Sequence, residues 1–106
     1  MQTHKQLEEI ILAMPHARLD YPFGEGAAVY KAGDKMFAII TEKSNPLRIS
    51  LKCDPQLAEV LREKYETVVP GYHLNKKHWN TIICSGQLDT EELTGLIVHS
   101  YTLVTS

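Results

Sequence analysis

The stretch Ala27-Ala28-Val29-Tyr30-Lys31-Ala32-Gly33-Asp34-Lys35-Met36-Phe37-Ala38-Ile39-Ile40-Thr41 decides the fold. Ala27–Lys31 and Lys35–Thr41 are rich in β-forming residues, and Ala32-Gly33-Asp34 between them suits a tight hairpin turn. Strands joined by so short a loop are antiparallel, because a parallel pair needs a crossover of about a dozen residues or more. Another strand follows with no room for a helix. Asn45-Pro46 marks a turn, and Leu47, Ile49, Leu51 and Cys53 then alternate with Arg48, Ser50 and Lys52. That period of two predicts an apolar inner face and a polar, partly basic outer face.

Helical signals lie on either side of this core. Thr3 with Gln6 has capping-box spacing, and Leu7, Ile10, Ile11 and Met14 follow on one helical face until Pro15 stops the pattern. Asp54-Pro55 is an N-cap acid followed by proline at the first helical position, with Leu57, Ala58, Leu61 and Tyr65 as the apolar stripe. Trp79–Cys84 reads as a further strand and Ser85-Gly86 as a turn. Asp89 and Glu92 cap a final helix that carries Leu93, Leu96, Ile97, Tyr101 and Val104 on one side. The order predicts an α+β two-layer sandwich, an antiparallel sheet with helices packed on one face.

The 106 residues suit one domain, residues 1–106, with an ordinary globular balance of 43% hydrophobic and 23% charged residues. The formal charge of −2 and pI of about 6.2 count against strong, salt-dependent duplex binding, which favours basic chains. No stretch is apolar enough to cross a bilayer. Cys53 and Cys84 lack zinc-site or CxxC spacing, so a cytoplasmic protein with two reduced thiols is expected. Cys53 continues the inward alternation of its strand and reads as a buried, inert thiol.

Pro70–Thr81, Pro-Gly-Tyr-His-Leu-Asn-Lys-Lys-His-Trp-Asn-Thr, concentrates the side chains able to bind something. It holds two of the eleven Lys and Arg, two of the five His and the only Trp, and no Asp or Glu. The candidate binding residues are Lys52, Tyr72, His73, Asn75, Lys76, Lys77, His78, Trp79 and Asn80. Lysines meet phosphates, Tyr72 and Trp79 stack on rings, and Asn75 or Asn80 reaches base edges. Arg48, Lys31 and Lys35 extend the patch if they converge. His73 and His78, five residues apart with no acid or cysteine between them, do not make a metal site. The Tyr21-Pro22-Phe23-Gly24 and Pro70-Gly71-Tyr72 stretches read as rigid turns, with the ring plugging the sheet edge.

Five blocks resemble the MmcQ/YjbR family of small bacterial proteins. They are Asp20-Tyr21-Pro22-Phe23-Gly24, Lys35-Met36-Phe37-Ala38, Leu51-Lys52-Cys53-Asp54-Pro55, Pro70 to Lys76 with His78-Trp79-Asn80-Thr81, and His99-Ser100-Tyr101. The resemblance implies a CyaY-like fold, related in shape to the frataxins, and DNA binding through two β-hairpin wings. The frataxin acidic iron ridge is not carried over, since the first helix holds only Glu8 and Glu9 as acids, with Lys5 beside them.

Three functional readings follow. The first is weak binding of DNA or another nucleic acid through the Lys and aromatic surface. The second is a pocket for a small planar or anionic ligand between the sheet and the Pro70–Trp79 loop. The third is a protein–protein adaptor using the strand edge or the Trp79 region. No nucleophile–base pair can be named, so no catalytic residue, cofactor or metal is expected.

Overall fold

The computed structural model describes residues 2–106. The chain runs α1 (His4–Leu12), β1 (Ala17–Asp20), β2 (Ala27–Ala32), β3 (Lys35–Thr41), β4 (Arg48–Lys52), α2 (Pro55–Lys64), β5 (Val68–Pro70), β6 (Trp79–Ile83) and α3 (Thr90–Thr105). The strands form one six-stranded sheet in the order β1-β2-β3-β4-β6-β5, antiparallel at every pairing. The α+β sandwich expected from the alternating strands is therefore the observed architecture. Two short edge strands, β1 and β5, have no clear signal in the sequence, being four and three residues long. Among the described residues no helix is long and apolar enough to cross a membrane.

The local signals act as their chemistry requires. Gly33 takes φ +63° at the first position of the two-residue loop joining Ala32 to Lys35, as a II′ hairpin turn demands. Thr3 and Gln6 form a reciprocal capping box, Asp54 accepts the Gln56 and Leu57 amides, and Asp89 accepts that of Glu92.

The helix-facing side of the sheet holds the main core. Ala28, Tyr30, Ala38, Ile40, Ile49, Leu51 and Ile82 pack against Leu7 and Ile11 of α1 and Leu93, Ile97 and Val104 of α3. A bulge admits Phe37 to this core, because Tyr30 pairs with Ala38 while Lys31 pairs with Met36. The Phe37 ring meets Tyr101 edge-on at 5.4 Å, and its carbonyl accepts the buried Ser100 hydroxyl at 2.5 Å. His99 Nε2 accepts the Asp54 amide at 3.1 Å, and the Tyr101 hydroxyl donates to the Pro15 carbonyl at 2.6 Å. His99-Ser100-Tyr101 thus ties α3 to the bulge, to the start of α2 and to the turn after α1.

The opposite face departs from the simple expectation of a polar, solvated surface. Val29, Ile39 and Trp79 form a second small cluster there, flanked by Ala27, Met36 and Leu74. The cover is the loop between β5 and β6, since Leu74 lies on that loop. Burial of these apolar side chains needs no further helix, because one loop laid over part of the sheet suffices.

Candidate functional site

The pairing register places the outer-face residues in rows across the sheet. One row runs Ala27, Thr41, Arg48, Ile83. The next runs Val29, Ile39, Ser50, Thr81, Val69. Further along, Lys52 stands opposite Trp79. The β5–β6 loop covers the Trp79 end; Val29, Ile39, Ser50 and Thr81 of the second row are buried, and the first row, with Thr41 and Arg48, is the exposed one.

What remains open is a cavity of ≈ 640 Å³. Its floor is Ala27, Ile39, Thr41, Ser50 and Thr81. Phe23 rises beside β2, Lys43 and Ser44 come from the β3–β4 turn, and Tyr72, His73 and Leu74 close the β6 side. Between β2 and β6 lie β3 and β4, so the strands beneath the two sides of the cavity are about 14 Å apart at ordinary sheet spacing, while Phe23 and Tyr72 themselves stand in the β1–β2 and β5–β6 loops. Phe23 is 64% and Tyr72 66% exposed, more than any other large apolar side chain among the described residues.

The loop wall is held from several directions. Gly71 donates its amide to the Trp79 carbonyl at 2.9 Å, and the Tyr72 amide donates to Thr81 Oγ1 at 3.1 Å. Asn75 Oδ1 accepts the amides of Lys77 and His78. Arg62 of α2 donates through Nε to Asn80 Oδ1 at 2.7 Å, and through Nη2 to the carbonyls of Trp79 and Lys76. His73 occupies the left-handed region at φ +58°, with its ring 4.0 Å from that of Tyr72. That conformation is uncommon for a non-glycine residue and turns the pair outward at the rim.

Several candidate residues have roles other than those expected. Trp79 is only 7% exposed and sits in the small cluster, so its ring offers no free face for stacking. Asn80 is 2% exposed and points to the helix side, where it accepts from Arg62 and donates to the Ala58 carbonyl. It therefore cannot reach a base edge. Asn75 spends its carbonyl oxygen inside the loop, and Lys76 Nζ donates to the Gly71 carbonyl at 3.2 Å. Lys31 pairs with Asp20 at 3.4 Å, which removes it from the proposed patch. The β2–β3 hairpin, a candidate wing, has both strands inside the sheet, with β1 and β4 on its flanks. Phe23 does not plug the sheet edge but stands in solvent at the cavity.

Of the candidate residues, Tyr72 and His73 line the cavity, while Lys52 lies half-buried beside Trp79. Lys77 is exposed on the same loop, and His78 is half-buried there. Sequence reading missed Phe23, Ile39, Lys43, Ser44, Leu74 and Thr81 as site residues. Ser50 had a signal, a small polar residue inside the outer-face alternation. Thr81 opposite it had none until the register was known.

Cys53 and Cys84 are both buried. Burial pushes the Cys53 thiol up to about 11, with the neighbouring Asp54 carboxylate adding to the effect, and burial does the same for Cys84. Neither is a nucleophile at neutral pH. Among the described residues no three His, Cys, Asp or Glu side chains gather as a metal site requires.

The YjbR family model matches residues 12–103 of this chain. The chain belongs to the YjbR family. It is similar to the uncharacterized protein YbdF of Escherichia coli O157:H7, 35% identical over 101 residues, which are 95% of this chain and 83% of that protein. It is likewise similar to the uncharacterized protein YjbR of Escherichia coli K12, 35% identical over 93% of this chain and 84% of that one. A Deinococcus radiodurans crystal structure with a DUF419 domain superposes with TM-score 0.95 at 40% identity, covering 100% of this chain and 80% of that chain. A Pseudomonas syringae crystal structure superposes with TM-score 0.82 at 26% identity, covering 97% and 99%. In this YjbR chain the five resembling blocks divide by role. Lys35–Ala38, Leu51–Pro55 and His99–Tyr101 knit the helices to the sheet, whereas Asp20–Gly24 and the block from Pro70 supply the two aromatic walls of the cavity.

Proposed function

We propose that this YjbR protein is a cytoplasmic binding protein whose open-face cavity takes a small ligand with a flat, apolar body. The observation that carries the reading is that Phe23 and Tyr72, the two most exposed large apolar side chains among the described residues, line the same cavity. Single exposed apolar residues are ordinary, but two aromatic side chains lining one concave, mostly apolar cavity with a few hydroxyls on its floor are the makings of a small-molecule site. A volume of ≈ 640 Å³ falls inside the range of roughly 300–1,000 Å³ common to such sites.

The test uses N-phenyl-α-naphthylamine, an uncharged probe whose fluorescence rises in an apolar pocket. Saturable binding at one probe per chain is expected. The Phe23→Ala, Tyr72→Ala double variant should bind about ten-fold more weakly or worse, since two aromatic contacts are each worth around 1 kcal/mol. Unchanged binding by a folded double variant would sink the reading.

Nucleic-acid binding is the second reading, favoured by Lys43, Arg48, Lys76 and Lys77 standing exposed beside Tyr72 and His73. It has lost Trp79 and Asn80 to the interior. A short oligodeoxythymidylate that displaced the probe, with affinity falling steeply between about 50 and about 200 mM salt, would favour it. The adaptor reading has no specific contact surface behind it.

A further inference from the structure

We infer that the ligand of this cavity is an aromatic anion, its flat body on Ile39 and Ala27 between Phe23 and Tyr72, and its acid group held by Arg48, Lys43 and the Ser50–Thr81 hydroxyl pair. The inference rests on the cavity reading above and adds the sign of the charge, its position and the donors that meet it.

The charge argument comes first. The lining includes Lys43 and Arg48 and no carboxylate. Glu42, between Thr41 and Lys43 in sequence, does not line this cavity but borders a neighbouring hollow with Tyr21, Glu25, Gly26 and Lys43. Its carboxylate accepts the Tyr21 hydroxyl at 3.0 Å and lies 3.6 Å from His4 Nδ1. Neither Lys43 nor Arg48 takes part in any ion pair found among the described residues. Both cations stand at one end of the cavity, Arg48 opposite Thr41 at the end of β3 and Lys43 in the turn just beyond. The opposite side is the apolar Leu74 wall. The site is therefore polarised, cationic at one end, with Ala27, Ile39 and Leu74 giving it apolar surface and Thr41, Ser50 and Thr81 placing hydroxyls on its floor.

The hydroxyl argument is independent of charge. Ser50 and Thr81 are buried, line the cavity floor and lie 2.8 Å apart, Oγ to Oγ1. Thr81 Oγ1 also accepts the Tyr72 amide at 3.1 Å. Two hydroxyls carry two hydrogens, and the bond between them uses one. The other has no protein acceptor among the described residues, whichever group donates within the pair. Since both residues line the open cavity, that hydrogen is free for a water or a ligand oxygen resting on the floor. Ser50 follows Arg48 by two residues on the same face, about 7 Å along the strand, so one acid group can meet the guanidinium and the floor hydroxyl together.

The experiment compares N-phenyl-α-naphthylamine with anilinonaphthalenesulfonate, which carries the same ring system and an added sulfonate. Wild-type protein should bind the sulfonate about ten-fold more tightly or better, and the difference should shrink as salt is raised. In the Arg48→Gln, Lys43→Gln double variant the sulfonate's advantage over the uncharged probe should shrink several-fold and lose its dependence on salt, whatever happens to the affinity for the uncharged probe itself. Both side chains are exposed, so an unaltered melting temperature is expected and confirms that the fold is intact. If the uncharged probe binds but the sulfonate adds nothing, the anion inference fails and the cavity reading stands. If neither probe binds saturably, both fail.

Discussion

Gly71→Ala is the perturbation that most directly tests how the cavity wall is seated. A Cβ at position 71 would lie 2.7 Å from Trp79 Cβ, 3.1 Å from the Trp79 carbonyl oxygen and 3.2 Å from Leu74 Cβ. None of these atoms is the free end of a flexible side chain, so the loop or the start of β6 must move by most of an ångström. The loop is the softer partner, being held by a few hydrogen bonds, whereas β6 is paired on both sides. Lifting the loop loosens the Gly71–Trp79 hydrogen bond and draws Leu74 off the indole. Complete uncovering of a ring of roughly 200 Å² would cost about 5 kcal/mol. A lift of this size uncovers only part of it, so the expected loss is about 1–3 kcal/mol, the usual cost of overpacking. For a domain of this size the melting temperature should fall by about 5–15 °C. Trp79 is the only tryptophan, so its emission reports on the loop without labelling. The wild-type protein should emit at the blue end of the tryptophan range and resist acrylamide, and Gly71→Ala should shift to the red and quench more readily. A variant with wild-type emission, quenching and melting temperature would refute the claim that the loop is seated through Gly71.

Two further outcomes follow from the same structure. Arg62→Ala strips the donor from Asn80 Oδ1, which is buried, frees the Lys76 carbonyl of the loop and leaves the Trp79 carbonyl with the Gly71 amide as its donor. A loss of about 1–3 kcal/mol in thermal unfolding is expected, with weaker naphthylamine binding as the Tyr72 wall loosens. Arg62→Lys should rescue little, because a single ammonium cannot span three acceptors as a guanidinium does. The buried thiols set an alkaline limit. Their folded values of about 11 lie above the unfolded value of 9.0, so their contribution is full below pH 9 and is lost as pH rises towards 11. Melting temperature should fall across that window, and less steeply in a Cys53→Ala, Cys84→Ala variant. Some slope should remain above pH 10, because burial and the hydrogen bond to Glu8 also raise Tyr30.

The sequence by itself determined the fold class, because its signals are local. Alternation in Leu47–Cys53 sets which side of β4 faces the helices, and Gly33-Asp34 sets the hairpin. Thr3, Asp54 and Asp89 set where the helices start. Each depends on neighbours within a few residues, which a linear reading can see. Only the tertiary structure decided the site, because its parts meet through strand register and loop path. Ser50 and Thr81, 31 residues apart, become one hydroxyl pair only when β4 lies beside β6. Trp79 looked like a binding residue from its polar company along the chain. The loop that carries those polar neighbours folds over the ring, and burial of a large apolar surface outweighs a free stacking face. Phe23, read as a plug, stands exposed in the β1–β2 loop beside the cavity. Which aromatics face water, and which cation ends beside which hydroxyl, are properties of the packed sheet rather than of any single stretch of chain.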